Sequence, residues 1–192
     1  MEQKKGDMAE YWEITTAKVE IDIATFFKAL AKYFPDATTF VVDEIPKILE
    51  VKKIYQAQGI KGDDIPERLK AFFSHDHLFR FSSSLMEGFA KLYLDYSPVL
   101  LFNIISLYKD DTLLFEWRHA LWGEAPMLVT ADLPEGTLLA FANELGLTEW
   151  QRITVDLFQT GADKVVQMFS GLGCLVIVLL ILWLIVTHGC SQ

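Results

Sequence analysis

Residues 99–119 read VLLFNIISLYKDDTLLFEWRH. Two apolar runs, 99–108 and 112–119, flank the polar triplet Lys109, Asp110 and Asp111. Each run is too short and too rich in isoleucine, leucine and aromatic residues to be a surface helix. A compact acidic turn between two such runs predicts an antiparallel hairpin. Alternation then puts Glu116 and Arg118 on one face and Trp117 and His119 on the other. The expected arrangement is Trp117 packed inside and a solvated Glu116–Arg118 ion pair outside.

Upstream of the hairpin, residues 18–22 (KVEID) alternate polar and apolar, which favours a strand. Ile23, Phe26, Phe27, Leu30 and Phe34 follow helical spacing, and Pro35 ends the helix. The β-branched and aromatic stretch 38–42 predicts a second strand. Residues 46–58 predict a helix with Gly59 as its stop, and a polar loop comes next at 61–64. DIPE at 64–67 and DLPE at 132–135 each place an aspartate before a first-turn proline, so each is expected to open a helix. SLME at 84–87 fits a capping box. Strands are expected at 78–81 and 127–130, and a helix at 135–145 closed by Gly146. This order predicts an α+β domain, a mixed, largely antiparallel sheet with helices packed on it. Phe72, Phe73, Phe79, Phe81, Phe89 and Tyr93 are expected in its core, the alternative being the wall of a lipid-sized pocket.

Charge is distributed unevenly. The chain has 192 residues, is 52% hydrophobic and carries a formal charge of −9. The last acidic residue is Asp163 and the last basic one Lys164, so all of that charge lies before residue 165. An acidic surface repels phosphate backbones, so nucleic acid is not an expected partner. Only two cysteines occur, Cys174 and Cys190, both late in the chain. A disulfide framework, a thiolate-ligated zinc and a cysteine nucleophile are thereby excluded from residues 1–173.

Residues 165–187 contain no charged side chain. As a helix they reach about 34 Å, enough for a hydrocarbon core of about 30 Å. Val165, Phe169, Leu172, Cys174, Leu179, Trp183 and Val186 are expected within this span, Phe169 and Trp183 near its two interfaces. Ser170 and Cys174 form a small-xxx-small pair that would let two spans approach as a homodimer. Thr148 and Gln151 fit a capping box, and Trp150, Ile153, Leu157 and Phe158 recur at helical spacing. The expected organisation is an acidic α+β domain at 1–147, an amphipathic stalk helix at 148–164, a transmembrane helix at 165–187 and a short tail at 188–192. The first dozen residues contain lysines but no apolar leader. A single-pass, C-terminally tail-anchored protein with a cytoplasmic N-terminal domain is the expectation, consistent with Lys164 preceding the span.

Chemistry is sparse. His75 and His77, two apart in a segment leading into a strand, would share a face as a metal pair requires, with His119 as a third imidazole. The plainer expectation is that these histidines border loops and strand ends. No phosphate loop, nucleophile elbow or H-E-x-x-H occurs, and no cofactor is expected. The function expected from sequence is a non-catalytic interaction or regulatory module tethered to a bilayer beside a protein partner. The alternatives are a membrane-bound metal-dependent or hydrolytic enzyme using His75, His77 and His119, and an accessory subunit of a larger membrane complex.

Overall fold

The computed structural model of the chain describes residues 8–16, 19–43, 48–70, 73–74, 77–95, 104–118 and 125–156. Glu10–Ile153 form one compact unit. Met1–Ala9 and Thr154–Gln192 group separately, and of these the described residues are the outer ends of two strands. Among the described residues the elements are β1 (Met8–Ile14), α1 (Ile23–Tyr33), β2 (Thr39–Asp43), α2 (Leu49–Gln58), α3 (Glu67–Lys70), β3 (Leu78–Arg80), α4 (Ser83–Asp95), β4 (Ile104–Lys109), β5 (Thr112–Arg118), β6 (Met127–Thr130), α5 (Glu135–Glu144) and β7 (Trp150–Asp156). The strands form one seven-stranded antiparallel sheet in the order β3-β2-β4-β5-β6-β1-β7.

The hairpin stands at the middle of this sheet. β4 pairs with β5 from Ile104↔Arg118 to Lys109↔Thr112, with an irregularity between Leu107 and Tyr108. Asp110 takes a left-handed conformation at φ 52°, which aspartate tolerates better than most residues. Thr38 clasps the turn from the neighbouring strand. Its N–H donates to Tyr108 O at 2.8 Å, and its Oγ1 accepts from Asp110 N at 2.9 Å.

One face of the sheet is dry and covered by helices. Ile23, Phe26, Phe27 and Leu30 of α1 are buried, matching the i, i+3, i+4, i+7 stripe in the sequence. Asp22 caps this helix by accepting from Thr25 N at 2.9 Å, and Thr25 Oγ1 also donates to it. These hydrogen bonds hold the Asp22 carboxyl below its ordinary pKa. Phe26 packs at 4.9 Å from Trp117 and 5.8 Å from Phe115, ring centre to ring centre. Phe40, Phe79 and Phe89 form a second knot, with Phe79 5.3 Å from Phe89. Leu85, Met86, Phe89 and Leu92 of α4, Val51 of α2, and Leu138, Phe141 and Ala142 of α5 complete this layer. Of the aromatic residues expected in the core, Phe79 and Phe89 are buried, Phe81 and Tyr93 pack against the core, and Phe73 is only half-buried and outside the core cluster, while Phe72 lies outside the described residues. Burial pushes the Tyr93 phenol up to about 12.

Four expectations are corrected. Residues 19–22 are not strand, because Asp22 is committed to capping α1 and Val19 N donates to Thr16 O in a turn. The helix at 83–95 is capped earlier than SLME implies, by Ser82 Oγ accepting from Leu85 N at 3.1 Å. Pro134, not Asp132, occupies the N-cap position of α5, with no side-chain cap bond. The largest correction falls on the stalk helix at 148–164, since Trp150–Asp156 are strand β7. The β-branched triplet Ile153, Thr154 and Val155 favours an extended backbone, and β1 supplies the ladder that such a backbone needs. Thr15 N donates to Glu149 O at 2.9 Å at the start of that ladder. The rest of the expected stalk, the expected span at 165–187 and the tail lie outside the described residues.

Candidate functional site

Of the three histidines singled out by the sequence, His77 alone is described. It lies half-buried immediately before β3, and its N–H donates to Ser74 O at 3.0 Å. His75 and His119 lie outside the described residues. Among the described residues no group of three His, Cys, Asp or Glu side chains is placed to hold a metal. Val165, Phe169, Leu172, Cys174, Leu179, Trp183 and Val186, expected within a span, also lie outside the described residues, and among those described no helix is long and apolar enough to cross a membrane.

Two polar features emerge besides the histidines. The first is an open groove of about 260 Å³ between α1 and α4, lined by Lys28, Ala31, Lys32, Ser83, Met86 and Glu87. Lys32 lies between this groove and α5, where its Nζ donates to Glu144 at 2.6 Å. Tyr33 donates to the same carboxylate at 2.8 Å. These two hydrogen bonds lower the Glu144 pKa, and the Glu144 carboxylate raises that of Lys32. The groove is open, and the Lys32 ammonium is exposed and already solvated. Such a groove suits a surface contact and lacks the water exclusion that sharpens catalytic electrostatics.

The second feature is a polar row on the sheet face away from the main helical layer. Ser106 stands opposite Val41 on one side and Glu116 on the other, and Glu116 stands opposite Leu128. Ser106 is 0% exposed and Glu116 8%. The expectation of a solvated Glu116 is thus corrected. Trp117 does face the core as expected, but Glu116 belongs to a sheet face that is itself covered: Tyr11, Thr39, Tyr108 and Thr130 are buried there too. Among the described residues Ser106 Oγ finds no hydrogen-bond partner, which for a buried hydroxyl costs about 1–3 kcal/mol. Only tertiary covering makes this row special, so the sequence alone carried no signal for it.

No protein-family model, curated protein or solved structure matches this chain.

Proposed function

We propose that the protein is a membrane-tethered interaction module: an acidic α+β domain leashed to a bilayer by residues 165–187 and engaging a protein partner there. The observation that carries this reading is the 23-residue uncharged run at 165–187, which comes after a charged region holding the entire formal charge of −9. Burying such a run in hydrocarbon is strongly favourable, and exposing it to water is correspondingly unfavourable. Tethering raises the effective concentration of the domain beside other membrane proteins, so a modest contact surface is sufficient. The solvated character of the α1–α4 groove accords with surface contact rather than with an enclosed reaction. On this reading the α+β domain occupies the cytoplasmic side of the membrane.

Alkaline carbonate extraction of membranes containing the full-length chain tests the tether. The chain is expected in the pellet, and its recovery in the supernatant would sink the proposal. Protease treatment of sealed vesicles tests the side: residues 1–156 should be digested from the cytoplasmic face. Recovery of partners from mild detergent, set against the same preparation with 165–187 exchanged for an unrelated apolar helix, separates an interaction carried by the domain from one carried by the span.

A further inference from the structure

Formal charge is not spread evenly over the fold. Residues 47–61 contain four lysines and one glutamate, a net +3 within a chain of −9. Most of this stretch is α2. Val51 of that helix is buried, Ile54 and Tyr55 pack against the core, and the Tyr55 ring centre lies 5.8 Å from that of Phe79. Leu49, Lys52, Lys53 and Gln56 recur at i, i+3, i+4 and i+7, so they form one stripe on the opposite side. All four are exposed.

This stripe is cationic without nearby neutralisation. Lys52 and Lys53 are in no ion pair among the described residues. Lys61, just beyond the helix, is exposed and holds its ammonium 5.8 Å from the centre of the Tyr55 ring. Glu50, the only acid of α2, is half-buried and sits about 100° round the helix from Leu49. In the turn and helix that come next, Asp63 is exposed, Asp64 is held by Arg80 and Glu67 by Lys70. The lysines of α1 are placed differently: Lys32 pairs with Glu144, and Lys28 shares its groove with Glu87. Leu49 is 60% exposed, one of two large apolar side chains so open among the described residues.

We propose that the exposed stripe of α2, with Lys61 at its end, is a docking surface for anionic phospholipid headgroups. Charge complementarity selects this partner. A lysine ammonium is a point charge on a flexible stem, suited to a fluid layer of phosphates and carboxylates that offers no fixed geometry. A leaflet rich in anionic lipid draws each such lysine toward it, by about fivefold in the docking equilibrium. Leu49 enters the boundary between headgroups and acyl chains, where an exposed leucine beside lysines is at home. The overall acidity of the chain does not oppose this contact, because salt confines charge effects to about 8 Å and the lysines are what the surface meets first. The inference rests on the tethered reading, which supplies the bilayer and the local concentration at which a three-lysine contact is occupied.

The test uses the full-length chain with Cys174 and Cys190 replaced by alanine and a fluorophore on Gln56→Cys, mixed with vesicles whose headgroups carry a nitroxide quencher. One set of vesicles is phosphatidylcholine alone, and the other contains about 30% phosphatidylserine. A control fluorophore sits on Asn143→Cys, at an exposed position of α5. Quenching at residue 56 is expected to rise in the anionic vesicles, while quenching at residue 143 stays the same. Lys52→Glu with Lys53→Glu should weaken docking by about thirtyfold, and Lys52→Arg with Lys53→Arg should retain it. Quenching at residue 56 that ignores lipid charge or the glutamate exchange overturns the proposal. So does an equal rise at both probes, which would show no preferred face, or loss of protein partners on glutamate exchange with quenching unchanged, which would assign the stripe to an acidic protein. Flotation with the neutral vesicles reads the tether separately. If the tether fails, the chain leaves the neutral vesicles, and docking then appears as flotation with anionic vesicles alone that the glutamate exchange removes.

Discussion

The β3 edge and the β7 edge belong to one sheet but are defended by different means. At β3 the strand is short, its residues Leu78 and Phe79 are 0% exposed, and a neighbouring stretch of backbone occupies the outer side. At β7 the strand is long, Gln151, Arg152 and Thr154 are exposed, and among the described residues no backbone pairs with its outer side. Each edge also carries one arginine ion pair, Arg80 with Asp64 and Arg152 with Glu10, with both partners more than half exposed. The ion pairs are therefore common to both and cannot explain the difference. What distinguishes the edges is apolar burial: β3 anchors the Phe40–Phe79–Phe89 knot, whereas β7 contributes Trp150 only as a partly buried neighbour of the core.

That contrast is sharpest under mutation. Phe79→Ala should cost about 3–5 kcal/mol, because the vacated space lies among rings that cannot collapse into it. Urea denaturation monitored by tryptophan fluorescence would measure it, and a loss below about 1 kcal/mol would break the contrast. Gly59→Ala should cost about 1–3 kcal/mol, since an added Cβ would stand 2.5 Å from Tyr55 O and 2.6 Å from the Tyr55 ring. Proteolysis should then open the β3 edge first. At the other edge, alternation from Glu149, whose carbonyl accepts from Thr15 N, turns the Thr154 N–H away from β1, so Thr154→Pro should cost under about 1 kcal/mol in the same urea titration. Arg80→Ala and Arg152→Ala should each shift stability by at most about 1 kcal/mol, and the shift should shrink in about 1 M salt. Equal and small effects from both arginines would confirm that exposed ion pairs do not set the two edges apart.

Legibility in the sequence divides along the same line. α1 was readable because its buried stripe and its Pro35 stop agree, and the 99–119 hairpin because its turn residues separate two apolar runs. β3 was readable as a short apolar segment. β1 was missed, since MAEYWEI mixes acids with aromatics and resembles a polar lead-in until β6 is placed beside it. β7 was misread as helix because Trp150 and Ile153 satisfy helical spacing by coincidence, while the competing Ile153-Thr154-Val155 signal is only three residues long. Rim strands are half-solvated, so their apolar pattern is weak and their identity is fixed by the neighbour they join. The candidate site fared similarly. Residue type singled out His77, but nothing local announced that Glu116 and Ser106 are buried, because that depends on what covers the sheet.

The Thr38 clasp has a consequence for how β2 finds its place. A strand slipped by one residue would turn Phe40 away from Phe27 and Phe89 and drive Val41 into their midst, inverting every side chain from Thr39 to Asp43. One hydroxyl, bonded to a hairpin tip some seventy positions further along the chain, serves as the alignment mark against that error.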